Sequence, residues 1–225
     1  MSGIRRKSFV VQEPVKLNLG CGPIHAAAWV NVDGSNRAWL ASRLSWLDRL
    51  LVSLRLVAPT EFSAATVYAN LLRRFPWRDK SVEAIYMGEM LEHFTQEEGE
   101  RVLRECYRVL RPGGLLRIRV PDNAHFWKKY LEEYESTKDK PRVQWCLSHT
   151  RWTAMYFQDI CVRRPRFWQS MGHYHKWMYD EISLTLLLES IGFQDVERKK
   201  FHDSRIPHIE EVETTEMLIV EAICP

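Results

Sequence analysis

Val15-Lys16-Leu17-Asn18-Leu19-Gly20-Cys21-Gly22-Pro23 is a short apolar run that ends in a Gly-X-Gly turn. It reads as a buried strand whose carboxyl end opens onto that turn, where two glycines remove the Cβ atoms that would keep a ligand off the backbone. A second run, Trp29-Val30-Asn31-Val32, closes on Asp33, an acid placed where a ribose diol can be gripped by two hydrogen bonds. Gly22 and Asp33 are close in sequence, so only a short helix or a turn joins the two strands. A nicotinamide-binding turn would carry a third glycine, and the run Pro23-Ile24-His25-Ala26 has none. Further on, Val109-Leu110-Arg111-Pro112-Gly113-Gly114-Leu115-Leu116-Arg117-Ile118-Arg119-Val120-Pro121 reads as a helix end, a Pro-Gly-Gly turn and another buried strand.

Strand and helix signals alternate along the rest of the chain, which predicts a parallel sheet with helices on both faces. A helix is expected over 95–110, with Thr95 as N-cap, Glu98 three residues on, and Val102, Leu103, Cys106 and Leu110 along one face. Another is expected over 180–191, from the cap Asp180 to Gly192, with Phe193 packing back on it. The segments near 194–201 and 216–224 read as the last two strands.

In their order these segments resemble the class I S-adenosylmethionine-dependent methyltransferases, whose first motif is an acid or amide followed by X-Gly-X-Gly and whose fifth strand follows a Pro-Gly-Gly turn. Pro76-Trp77-Arg78-Asp79-Lys80-Ser81-Val82-Glu83-Ala84-Ile85-Tyr86 and Met90-Leu91-Glu92-His93-Phe94 are similar to the fourth strand and following loop of the type 11 subgroup. His175-Lys176-Trp177-Met178-Tyr179-Asp180, the run through Leu186-Leu187-Leu188 and Ile191-Gly192-Phe193, and the closing Glu221-Ala222 resemble small bacterial members associated with glycan and polysaccharide biosynthesis. The resemblance implies a Rossmann-like α/β fold with a mostly parallel seven-stranded sheet, the last pair antiparallel. It also implies S-adenosyl-L-methionine as cofactor, held by Asn18, Gly20, Cys21, Gly22, Asp33, Asn70, Leu71, Met87, Gly88 and His93. Asn70 stands where the family often has an acid near the adenine.

The 225 residues, 45% hydrophobic and 27% charged with a net charge of +3, suit one soluble methyltransferase domain over 1–225 and do not call for a polyanionic partner. Five cysteines without a Cys-X-X-Cys pair fit neither a disulfide framework nor a zinc site and point to a reducing compartment. With no apolar signal run after Arg5, Arg6 and Lys7, the expected location is cytoplasmic.

Two insertions, at about 34–66 and 123–172, decorate this frame as helical caps. In the first, Leu40, Leu44, Leu47, Leu51 and Leu54 recur at helical spacing and predict one amphipathic helix over 37–57, with Arg43 within its apolar face. Packing over the sheet edge, a lid, a homodimer seam and peripheral contact with an anionic membrane all remain open for it. The region from 123 through 179 holds thirteen of the chain's twenty-six aromatic residues, with Arg151, Arg163, Arg164, Arg166 and Lys176 among them. Satellite core packing accounts for many such rings. An acceptor pocket for sugar faces or a lipid chain, on an acceptor that carries phosphate or carboxylate, accounts for the rest. No recognised nucleic-acid module is present, so nucleic acid is not the expected partner.

Transfer of a methyl group from a sulfonium to an alcohol requires alignment and the uptake of one proton. His175 is the leading candidate for the base, because an imidazole titrates near working pH, and His93 stands second, with a positioning role for the methionine end of the cofactor as its alternative. Asp122 would orient a histidine or the acceptor hydroxyl, or else cap the helix that follows. His125, His149 and His173 are further candidates. No ligand spacing commits the chain to a metal, although the resemblance leaves magnesium open. The expected activity is O-methylation of a hydroxyl on a saccharide or glycan precursor. Two alternatives stand beside it: a methyltransferase for another small-molecule or lipid-linked acceptor, and a non-catalytic module that binds the cofactor or a partner.

Overall fold

A computed structural model describes residues 15–56, 65–137 and 175–225. Seven strands form one sheet in the order β3-β2-β1-β4-β5-β7-β6. They are Val15–Leu19 (β1), Val30–Asp33 (β2), Val67–Tyr68 (β3), Val82–Gly88 (β4), Leu110–Val120 (β5), Gln194–Arg198 (β6) and Leu218–Cys224 (β7). β1 to β5 run parallel, while β7 is antiparallel to both β5 and β6. The order reverses at β1, so the carboxyl ends of β1 and β4 flank the crevice where ligands of open α/β sheets bind.

Residues alternate across the sheet. Leu17, Leu19, Ile85, Met87, Leu116, Ile118, Val120, Leu218 and Val220 share one face with Val102, Leu103 and Cys106 of helix Gln96–Val109 (α3) and Leu184 and Leu188 of the helix Glu181–Ile191 near the carboxyl end. Both helices start as the sequence predicts. Thr95 and Glu98 form a reciprocal capping box on α3, as Asp180 and Ser183 do on the second helix, and Gly192 closes that helix with φ 117°. Helices on both faces are not what the structure shows at the sheet centre. Opposite α3, Ala84 and Tyr86 pack against Trp29, Ile206, Ile209 and Val212, which come from the non-helical connection between β1 and β2 and from the segment before β7. The physical reason is chain length. The connection from Gly22 to Asp33 closes as turns, and the segment before β7 fills the space, with the Trp29 indole donating to the His208 carbonyl at 3.0 Å.

The single helix expected over 37–57 is two helices, Asn36–Arg43 (α1) and Ser45–Ser53 (α2). Ser42 Oγ donates back to the Trp39 carbonyl, a bond that competes with helix geometry, and Leu44 leaves the helical region at φ −134°, ψ 52°. Arg37 pairs with Asp48 across the break at 3.1 Å. The apolar face is therefore split. α1 buries Ala38 and Ala41, α2 buries none of its residues, and Trp46, Leu50, Leu54 and Leu56 are exposed. Arg43 is exposed rather than enclosed in that face. Of the second insertion the structure describes helix Asn123–Thr137 (α4). The basic and aromatic residues from 145 to 174 lie outside the described residues. We call the helix Glu181–Ile191 α5. Among the described residues no helix is long and apolar enough to cross a membrane.

Candidate active site

The turn after β1 is folded over the end of β2. Gly20 and Cys21 both donate to the Val32 carbonyl, at 2.8 and 3.0 Å, and the Gly22 amide donates to Asp33 Oδ2 at 3.1 Å. Gly20 and Gly22 have φ of 69° and 52°, a region that costs an L side chain strain. A Cβ on Gly20 would fall 2.6 Å from Met90 Cγ, so Gly20 is also fixed by packing, whereas one on Gly22 would enter open space. Asp33 Oδ1 accepts from the Ser35 amide at 2.7 Å, so both its oxygens are oriented by backbone and each keeps a lone pair. This arrangement fits a ribose diol at Asp33 and close approach of the cofactor over Gly22.

Other expected cofactor residues stand around the same crevice in different capacities. Asn18 donates to Asn31, whose amide in turn brackets Ala26, so it braces the turn from beneath. Cys21 is buried, and that burial pushes its thiol up to about 12, which makes it inert. Asn70 Oδ1 accepts from the Leu72 amide at 3.0 Å and shapes the turn after β3, with Leu71 buried beside it. Met87 is fully buried, and Gly88 packs so tightly on Tyr86 that a Cβ would lie 2.6 Å from its hydroxyl.

At the end of β4 the chain makes a 3-10 turn, Leu91–His93, and residues 175–180 return across it. The amides of Lys176 and Trp177 donate to the Glu92 carbonyl at 2.8 and 3.2 Å, and Asn123 donates to the Tyr179 carbonyl at 3.0 Å. The returning segment thus stitches together the carboxyl ends of β4 and β5. It sets His175 edge-on against His93 with ring centroids 4.9 Å apart. Glu92 completes the group: one ligand atom from each of Glu92, His93 and His175 lies within 4.8 Å of the others. Spacing along the chain did not announce this cluster, and Glu92 was missed as a site residue. Burial drives the Glu92 carboxyl up to about 8, and its own backbone amide draws it back only in part.

Asp122 acts at the start of α4, where Oδ1 accepts from the His125 amide at 3.1 Å, and it pairs with Arg198 at 3.2 Å. These bonds match its capping alternative. His149 and His173 lie outside the described residues. A second group unseen in the sequence is an ionic core on the loop-covered face. Arg117 on β5 and Glu213 and Glu221 before and within β7 are all fully or almost fully buried. Arg117 makes a two-pronged pair with Glu213 at 2.9 Å on each arm, reaches Glu221 at 3.2 Å, and donates to the Lys200 and Asp203 carbonyls.

Residues 17–118 match the family model described as a methyltransferase domain. Among solved structures, the chain is similar to a SAM-dependent methyltransferase from Archaeoglobus fulgidus (13% identity, 93% of this chain and 86% of that one, TM-score 0.50). It is also similar to a SAM-dependent methyltransferase from Thermotoga maritima (14% identity, 96% and 84%, TM-score 0.46). No curated protein matches the chain by sequence. The family match thus covers residues 17–118, and the seven-stranded, mostly parallel sheet is the Rossmann-like fold shared with the Archaeoglobus fulgidus structure.

Proposed function

We propose that this chain is an S-adenosylmethionine-dependent methyltransferase and that it transfers the methyl group to a hydroxyl of a saccharide or glycan precursor. The observation that carries the reading is the Glu92, His93 and His175 cluster beside the cofactor crevice. An alcohol must lose a proton as its oxygen attacks, and this cluster gathers groups able to hold the hydroxyl and move that proton. Asp33, Gly20 and Gly22 hold the nucleoside end of the cofactor, with Asn70 and Leu71 toward the adenine and Gly88 and His93 toward the methionine, while Met87, fully buried, supports the strand end from within the core. Attack of the acceptor oxygen on the methyl carbon breaks the carbon–sulfur bond and leaves its electron pair on sulfur. His175→Ala is expected to lower turnover on sugar acceptors by roughly a hundredfold while S-adenosylhomocysteine still binds in calorimetry. Near-normal turnover would remove His175 from the chemistry.

The exposed apolar residues of α2 support a further reading of the first insertion as a peripheral membrane contact. Sedimentation with anionic vesicles that is lost in a Trp46→Ala, Leu50→Ala double variant is the expected result. Absence of sedimentation at low salt would overturn it.

A further inference from the structure

Glu92 is 1% exposed, and among the described residues its carboxyl is buried with neither oxygen satisfied by a hydrogen bond from another residue. A carboxylate in that position is costly unless paired with a cation. The nearby cations make their ion pairs elsewhere, although Arg119 Nε itself lacks a partner among the described residues. Arg119 donates to Glu89, Thr214 and Thr215, and Lys176 reaches Glu98 at 3.3 Å. Two imidazoles face the same point, held there by backbone bonds from Lys176 and Trp177 to the Glu92 carbonyl.

We propose that Glu92, His93 and His175 bind a divalent first-row transition-metal ion that takes the acceptor hydroxyl as a further ligand. Two imidazole nitrogens and one carboxylate suit zinc, manganese, iron or cobalt, whereas magnesium and calcium favour all-oxygen sites. Ligand distances of about 2.0 to 2.2 Å would draw the three donor atoms to roughly 3 to 3.5 Å from one another, closer than their present span. Side-chain rotation of the two half-buried histidines can supply that closing. Three protein ligands leave coordination positions open, the pattern of a catalytic rather than a structural site.

The role of the ion rests on the hydroxyl-methylation reading, while its binding does not. The ion lowers the pKa of the coordinated alcohol, whose O–H proton passes to solvent. The oxygen lone pair then forms the bond to the methyl carbon, and the carbon–sulfur electron pair stays on the departing thioether. No oxidant or reductant takes part. His175 acts here through the ion instead of as a free base.

The test uses the full chain, stripped with a chelator and titrated with cobalt chloride. We expect a visible ligand-field band that saturates at one ion per chain, with affinity lowered at least roughly a hundredfold in Glu92→Gln, His93→Ala and His175→Ala. Calorimetry with zinc chloride should give the same stoichiometry. Thermal melts and S-adenosylhomocysteine binding check that each variant is folded, and the wild-type band decides the matter if a variant is not. No band, or a band that survives unchanged in all three variants, overturns the site. Labelled methyl transfer to a panel of free and phosphorylated sugars, before and after metal is restored, separates the two readings. Sugar methylation unaffected by stripping removes the ion's role and leaves the alcohol reading standing. An intact band with no transfer to any sugar removes the saccharide reading and leaves the metal site standing.

Discussion

Two clusters of ionisable side chains stand at the sheet, one between β5 and β7 and one beyond the carboxyl end of β4, and they are built on opposite terms. In the Arg117, Glu213 and Glu221 group every charge meets its complement. The guanidinium contacts two carboxylates and two carbonyls, and Glu221 also receives Ser204 and Arg205, the latter at 2.8 Å. In the Glu92, His93 and His175 group the carboxylate has no such complement within the described chain. A closed ionic network under the sheet locks the long segment before β7 onto β5. At the end of β4, by contrast, the described residues leave the Glu92 carboxyl without a hydrogen-bond partner. Burial of charge alone therefore does not mark function, whereas burial without compensation does.

The strongest way to break the comparison is to delete one member of each cluster. Arg117→Ala leaves Glu213 buried without its guanidinium and Glu221 with only Ser204 and Arg205, and denaturant titration should show a loss of about 3–5 kcal/mol. Glu92→Gln removes a buried acid that lacks a partner, so the metal-free protein should be as stable as the parent or more so, while activity falls. Equal destabilisation by both would show that Glu92 serves the fold as Arg117 does.

A smaller effect sharpens the contrast from a third carboxylate. Asp33 is held by the Gly22 and Ser35 amides but keeps acceptor capacity at the crevice. Asp33→Ala should weaken S-adenosylhomocysteine binding by about 2 kcal/mol, read by calorimetry. Unchanged affinity would mean that its bonds to the turn are its whole role.

Much of this was legible in the sequence because it depends on neighbours along the chain. The turn at Gly20 and Gly22, the capping boxes at Thr95 and Asp180, and the stop at Gly192 are local features, and the strands they border fell where expected. The break at Leu44 was not legible, since leucine at helical spacing carries no mark of it. Glu92 was hidden for a different reason. In the sequence it is only the residue before His93, and the return of residues 175–177 across the turn is what makes its burial and its two histidine companions visible. Arg117 and Glu221 did leave a trace. Charges alternating with Leu116, Ile118 and Val120 in a strand paired on both sides imply a buried ionic face, provided that something covers it. What covers it, residues 199–215, lies far along the chain, and no periodicity connects the two.

The smallest expected effect concerns acid. Burial tends to raise the Glu221 carboxyl, but bonds from Ser204 and Arg205 and the Arg117 charge outweigh it and hold the group below the usual glutamate range. A depressed carboxylate adds stability that is fully present above its unfolded pKa and is lost as pH falls through the folded value. Stability should therefore hold from neutral pH down to the ordinary glutamate range and decline below it, by less than the loss caused by Arg117→Ala because the Arg117–Glu213 arm persists. Glu221→Gln should flatten that part of the stability–pH profile, measured by thermal melts between neutral and acid pH. A profile as steep as the parent's would place the acid sensitivity in other carboxylates and reduce Glu221 to a packing residue within the ionic core.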